Sequence, residues 1–229
     1  MLTLLHTAES NIAVFDALWK EIAPDIDVRH LVADDILQEA RDAGRVSPKL
    51  SRRVAEIYET LGRQFEFVLC TCSTIGEIAE RESRRYRFPV LRVDRPMAER
   101  ALALGRHIAV LATLKSTLEP TRELLKSVAH ATHAAVQIDD VLVKNAWPQL
   151  ESGDAAGYAQ AIAEEIDGAA RSHDVIVLAQ ASMAAAADLR PNCPIPILSS
   201  PRLGFEAAVA QYRAYMAVLQ QRNAAASQA

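Results

Sequence analysis

The run Phe65-Glu-Phe-Val-Leu-Cys-Thr-Cys-Ser-Thr-Ile75 is apolar up to Cys72 and then turns polar. Its length and its β-branched and aromatic content make Phe65 to Thr71 a buried strand, and Ser73 to Arg85 follows with helical periodicity. A counterpart stands 108 residues further on, where Val175-Ile-Val-Leu-Ala-Gln180 is again apolar up to one polar residue. Other landmarks repeat at nearly the same spacing. Thr7 and Thr113 each end a strand-like run and open the patterns Thr7-Ala-Glu-Ser10 and Thr113-Leu-Lys-Ser116. Pro89 pairs with Pro194, and Pro96 with Pro201. Repeats of this length are domain-sized rather than solenoid units.

Working outward, short β-rich runs alternate with longer helical patterns, as in parallel βαβ units. Strands are expected at Leu2–His6, Ile26–Val32, Phe65–Thr71, Pro89–Val93, His107–Ala112, Ala134–Ile138, Val175–Ala179 and Ile195–Leu198. Helices are expected at Asn11–Ile22 (with Ser10 or Asn11 as N-cap), Asp34–Ala43, a stretch opened by Ser47-Pro48, Ser73–Arg85, Leu118–His130, Ala155–Ala170 and Phe205–Gln221. The residues from Asn223 onward read as a frayed tail. The fold class is α/β: two similar lobes, each a parallel, flavodoxin-like sheet flanked by helices, related by a pseudo-twofold axis. Residues 1–97, with 205–229 returning as a last helix, make the first lobe, and 98–204 the second. Ligands of parallel sheets sit outside the carboxyl ends of the strands, so the site belongs in the cleft between the lobes.

The 229 residues carry a net charge of −4, with 50% hydrophobic and 24% charged residues. This balance argues against nucleic-acid and anionic-membrane partners, which reward a basic face. Arg81, Arg84, Arg85 and Arg87 read as a solvated helix face. Apolar runs are too short to span a bilayer, the N-terminus lacks the form of a signal peptide, and three cysteines fit free thiols in a reducing compartment. The expected location is the cytoplasm. There is no Gly-x-Gly-x-x-Gly, and no cofactor is expected. No metal is expected either, since His130 and His133 have no third ligand nearby. Asp34-Asp35 and Asp139-Asp140 read as cap or surface pairs.

Cys72 is the candidate reactive group. At the end of a strand and the head of a helix, a thiol is expected to have a lowered pKa. Cys70, two residues back on the same strand face, and Cys193 read as small hydrophobes. Loops that run into helix N-termini attract anions, so the expected partner is a small carboxylate. Thr7, Ser10, Thr113, Ser116 and Thr117 cap helix starts or contact that ligand, and Ser73, Thr74 and Ser182 flank the two key turns. Lys115 and Arg202 read as solvated cations near the strand ends.

Val68 to Thr74 resembles the first cysteine motif of the aspartate/glutamate/hydantoin racemase superfamily. His107 to Thr117 (HIAVLATLKST) resembles the segment opening that family's second lobe, and Val175 to Met183 (VIVLAQASM) its second cysteine motif. The resemblance implies a cofactor-independent racemase or isomerase, a possible homodimer, with relatives that isomerise maleate or decarboxylate arylmalonates. In such racemases two cysteines exchange the α-proton from opposite faces. Here the second is Gln180, an amide that cannot be a proton-transfer base, and its expected role is to hydrogen-bond a carboxylate or enolate oxygen. One-thiol chemistry remains. Cys72 protonates a carbanion left by decarboxylation, adds to an unsaturated diacid, or works with a second base, for which His6 is the candidate. A catalytically silent carboxylate-binding protein is the alternative outside enzymes.

Overall fold

The computed structural model describes residues 1–64, 67–86 and 88–226. Strands β1 (Leu2–His6), β2 (Val28–Val32), β3 (Val68–Cys70) and β4 (Val90–Arg92) form a parallel sheet in the order β2-β1-β3-β4. Strands β5 (His107–Ala112), β6 (Gln137–Leu142), β7 (Val175–Leu178) and β8 (Ile197–Ser199) form a second in the order β6-β5-β7-β8. The two halves therefore have one topology. The helices are α1 (Ser10–Ile22), α2 (Asp34–Asp42), α3 (Pro48–Gln64), α4 (Gly76–Arg85), α5 (Arg95–Leu104), α6 (Lys115–Ala131), α7 (Trp147–Glu151), α8 (Ala155–Ala169), α9 (Ala185–Asp188) and α10 (Ser200–Ala226).

The strand register bears out the repeat. Leu5 pairs with Cys70 in the first sheet and Leu111 with Leu178 in the second. Two residues on along each strand stand Thr7 with Cys72 and Thr113 with Gln180. Cys72 (φ −117, ψ 115) and Gln180 (φ −120, ψ 141) are both extended and both precede a three-residue 3₁₀ turn, at Ser73–Ile75 and Ala181–Met183. The proline pairing differs from expectation. Val68 N–H donates to the Pro89 carbonyl at 3.0 Å, and Ile176 N–H to that of Pro196 at 2.9 Å. Pro196, not Pro194, thus matches Pro89, and the last strand begins at Ile197 rather than Ile195. A proline has no N–H for the ladder, so the strand starts after the second one.

Each sheet is covered on both faces, which is why its central strands read as continuous apolar runs. Leu2, Leu4, Phe67 and Leu69 pack with Phe15 of α1 and with Phe205, Ala208 and Val209 of α10. Leu5, Val68 and Cys70 pack with Val54 and Tyr58 of α3 and Ile78 of α4. In the second half, Met97 and Ala101 of α5 join Leu124 and Leu125 of α6 against Ile108 and Val110, while Tyr158, Ile162 and Ile166 of α8 cover Leu111 and Ile176. The helices after the fourth strands thus cross over: α5 packs on the second sheet and α10 on the first. Gly204 permits that crossing, because a Cβ there would lie 2.0 Å from the Val93 carbonyl oxygen.

Several boundaries moved. Helix α1 starts at Ser10, with Glu9 as its N-cap, so neither Ser10 nor Asn11 caps it. Ser47 does cap α3, accepting the Leu50 N–H at 3.1 Å. Helix α6 starts three residues before Leu118, and β6 lies at Gln137–Leu142 rather than Ala134–Ile138. Helices α5, α7 and α9 were not expected. Asn223–Ala226 continue α10 instead of fraying. Arg81 and Arg85 are exposed, as a solvated face requires. Phe65, Glu66, Arg87 and residues 227–229 lie outside the described residues. Among the described residues, no helix is long and apolar enough to cross a membrane.

Candidate active site

The carboxyl ends of β1 and β3 meet those of β5 and β7 across a cleft with an empty volume of ≈ 380 Å³. Thr7, Ser10, Thr71, Cys72, Ser73 and Thr74 line it from the first half, and Thr117, Gln180 and Ser182 from the second. Of its described lining residues, Cys72 alone has an ionisable side chain. Leu37, Leu114 and Trp147 supply an apolar wall. That wall is clasped from outside: the Arg41 guanidinium of α2 lies 5.2 Å over the Trp147 ring, and its Nη1 meets Glu151 of α7 at 2.6 Å.

Cys72 is 9% exposed and is one of the residues that line the cleft. The expected acidic thiol is not what the structure provides. Burial pushes the Cys72 pKa above the ordinary thiol value, although the Thr7 hydroxyl, the Ile75 and Thr74 N–H groups and the Thr74 hydroxyl all pull it down. Desolvation of a thiolate outweighs the donors of a short 3₁₀ turn. The unliganded thiol therefore keeps its proton at neutral pH, with donors in place for the anion formed when that proton leaves. Cys70 is fully buried, and burial, then the charge of Cys72, push its thiol up to about 12 against a hydrogen bond with Tyr58 that pulls it down. It is inert packing, as expected.

On the other side, Gln180 Oε1 accepts from Thr113 N–H (2.7 Å), the Thr113 hydroxyl (2.9 Å) and Leu114 N–H (3.3 Å). Three donors fix the flip of this amide, so its NH₂ is the end left to donate. Thr7 beside Cys72 and Thr113 beside Gln180 are thus equivalent supports, one for sulfur and one for an amide oxygen. Thr113 stands behind Gln180 rather than in the cleft. Its hydroxyl is 3.4 Å from Tyr158 OH, which in turn lies 2.8 Å from Ser182 Oγ. Tyr158, buried in an alanine-rich helix, gave no sequence signal.

Behind Cys72 lies a buried ion pair. Arg92 donates to Asp94 through Nε at 2.6 Å and Nη2 at 3.0 Å, with Glu80 3.7 Å from Nη1. Burial raises the Asp94 carboxyl, but the Arg92 charge and hydrogen bonds more than offset this and leave it below its usual value. The single Ser73 hydroxyl hydrogen faces two acceptors, the Ala179 carbonyl of the opposite half at 2.9 Å and the Asp94 carboxylate. Thr74 Oγ1 and Thr117 Oγ1 approach to 3.4 Å, a second link between the halves.

His6 does not border the cleft, so it is not positioned as a second base. It is fully buried, with Nδ1 2.7 Å from Thr71 Oγ1 and Nε2 2.9 Å from His30 Nδ1. Thr71 gives its hydrogen to the Leu5 carbonyl (3.0 Å), so His6 Nδ1 is the donor to Thr71 and Nε2 the acceptor from His30. Burial, and then the charge of His30, lower the His6 pKa to about 4. An unfolded histidine titrates near 6.5, so between these values the unfolded chain binds a proton that the native state refuses. His6 therefore lowers stability as pH falls from about 6.5 to about 4, by up to about 3 kcal/mol. Urea denaturation of the protein and of His6→Asn across that range measures it. The variant should show a flatter dependence on pH, and equal slopes would refute the assignment.

The remaining candidates lie elsewhere. Ser116 and Lys115 border a separate hollow with Glu77, Arg81 and Glu119. Arg202 pairs with Glu21 at 2.7 Å and Cys193 sits among Asp167, Arg190 and Pro191. The cleft residues missed in the sequence include Leu37, Leu114 and Trp147, with Ala8 and Asn11 around the start of α1. Apolar side chains on a loop or a short helix carry no chemical signature.

A family model described as Asp/Glu/Hydantoin racemase matches residues 22–208. No curated protein is significantly similar in sequence. Among solved structures, a glutamate racemase isoform from Bacillus anthracis superposes with a TM-score of 0.68 at 16% identity, covering 93% of this chain and 82% of that one. Allantoin racemase from Pseudomonas fluorescens gives 0.59 at 15%, covering 93% and 90%. Aspartate racemase from Picrophilus torridus gives 0.59 at 13%, covering 87% and 88%.

Proposed function

Because the chain belongs to the Asp/Glu/hydantoin racemase family, we propose that it is a cofactor-independent isomerase of a small carboxylic acid, with Cys72 as its one acid/base. The observation that carries this reading is the cleft lining, where Cys72 is the single ionisable side chain among the described residues. With no lysine or arginine in that lining, neutral donors hold the substrate carboxylate: the Ser10, Thr74 and Thr117 hydroxyls and main-chain N–H groups at helix starts. Leu37, Leu114 and Trp147 suit an apolar substituent beside the carboxylate.

The chemistry follows from the donors. The Cys72 thiol first loses its proton to solvent; the thiolate so formed takes the α-proton onto sulfur, and the C–H electron pair moves into the substrate as an enolate. The Gln180 NH₂ stabilises the charge that develops on the enolate oxygen. The thiol then returns the proton on the same face to a neighbouring carbon, which gives the isomer; return to the α-carbon only regenerates the substrate. Gln180 cannot take a proton from the opposite face, so a symmetric two-thiol exchange is not part of this reading. A specific observation favours decarboxylation as the second reading: a buried thiol that stays protonated at neutral pH is ready to protonate a carbanion left by carbon dioxide.

A panel of small amino, hydroxy and malonic acids in deuterium oxide tests both. Conversion to an isomer carrying deuterium on the migrated carbon supports the one-thiol isomerase, and deuterium gained at the α-carbon with retention supports its Cys72 proton-abstraction step. Inversion during exchange points to a second proton donor and overturns the one-base mechanism. Carbon dioxide release replaces the first reading with the second. Thermal stabilisation by these acids without exchange or release reduces the protein to a carboxylate binder and ends both.

A further inference from the structure

At the opposite end of the second sheet, His107 begins β5, Asp139 lies in β6, and His173 stands in the turn before β7. His107 Nε2 is 2.8 Å and His173 Nε2 3.1 Å from the same oxygen, Asp139 Oδ2. The two imidazole rings are 4.3 Å apart, centre to centre. The three candidate donor atoms lie within 4.8 Å of one another.

The hydrogen positions make this more than an ordinary polar cluster. His173 Nδ1 is 2.9 Å from the Ala169 carbonyl and 3.1 Å from the Ser172 hydroxyl; in the tautomer that satisfies the carbonyl, Nδ1 carries the hydrogen. In a neutral ring the Nε2 lone pair then faces the Asp139 carboxylate, and two lone pairs 3.1 Å apart repel. A cation between them removes that repulsion, as does a proton on Nε2. Metal-bound histidines commonly donate their second ring N–H to a main-chain carbonyl, which sets ring orientation and tautomer. His107 is also held in place, because Asp174 Oδ2 accepts the N–H groups of Arg106 at 2.9 Å and His107 at 2.8 Å. That carboxylate adds negative charge beside the cluster.

We propose that His107, Asp139 and His173 form a binding site for one first-row divalent cation, such as zinc or cobalt. Two imidazole nitrogens and one carboxylate oxygen suit these ions, and water completes the shell. Ligand atoms around a four-coordinate ion with bonds of about 2.0–2.1 Å are roughly 3.3 Å apart, close to the spacings to Asp139. Binding replaces any proton on His173 Nε2 and releases it to solvent. The site sits at the start of β5 and the catalytic cleft beyond its end, a strand of 6 residues away, or roughly 20 Å. The ion therefore ties β5, β6 and the turn before β7 together without touching the reaction.

The test uses protein without a histidine tag, stripped with a chelator, then titrated with cobalt(II) by calorimetry and visible absorption at neutral pH. One cobalt per chain is expected, with d–d bands of nitrogen and oxygen ligation. Zinc added to the stripped protein should raise Tm. Both effects should be lost in Asp139→Asn and His173→Gln and kept in Cys72→Ser. No binding by the stripped wild-type protein overturns the proposal, a result that does not depend on any variant folding. So does binding that survives both substitutions, or a thiolate-to-cobalt charge-transfer band, which would place the ion on a cysteine.

Discussion

Replacing Cys72 with alanine is expected to lower kcat by roughly 10²–10⁴-fold, with KM changed far less. The proposed substrate is held by hydroxyls, main-chain N–H groups and an apolar wall, none of which the substitution removes. What goes is the only ionisable side chain among the described cleft residues. Cys72→Ser should fall nearly as far, because a hydroxyl is a much weaker acid than a thiol. The far-ultraviolet spectrum should stay unchanged, since the side chain sits at the cleft edge rather than within a sheet. Turnover within a few-fold of wild type in either variant would remove Cys72 from the mechanism. Alkylation offers a second measurement. In a Cys193→Ser background, a bound substrate should slow carboxymethylation of Cys72, whereas Cys70, fully buried, should not react until the protein unfolds.

Asp94→Ala is expected to cost about 3–5 kcal/mol of stability, read as a lower urea midpoint. Arg92 and Asp94 are 3% and 0% exposed, and removing the carboxylate leaves a guanidinium with little water. Glu80 is a poor substitute, because it lies 3.7 Å from Arg92 and is already paired with Arg95. The arginine head passes over Gly76, where even a Cβ would come within 2.7 Å, so it is hemmed in on that side. The double variant Arg92→Met/Asp94→Leu, which leaves no buried charge, should recover most of the loss. The stabilisation by the pair is complete above the ordinary carboxylate pKa and fades only below it, since the Asp94 carboxyl is held below its usual value. A loss under about 1 kcal/mol for Asp94→Ala would mean that the pair is solvated in a way its burial contradicts.

Much of the molecule was legible along the chain, for a local reason. A strand buried on both faces must be apolar throughout, so Leu2–His6, His107–Ala112 and Val175–Leu178 announced themselves. The residue ending such a strand must turn polar, so Cys72, Gln180, Thr7 and Thr113 stood out at one spacing. Where local signals competed, the reading slipped. Two prolines around Ile195 left the start of the last strand open until the ladder selected Pro196. Helix α5 was not expected, although Pro96 stands near its start, where proline is favourable.

The sequence alone determined the duplication, the parallel sheets and the matched pair Cys72 and Gln180 among the residues that line the cleft, because each follows from local patterns of apolar and polar residues. Tertiary structure alone decided that Cys72 keeps its proton, that His6 is sealed away from the cleft, and that His107, Asp139 and His173 converge. Those properties depend on how much water is excluded and which distant groups are brought to a few ångströms, and both are set by segments that meet only after the chain has folded.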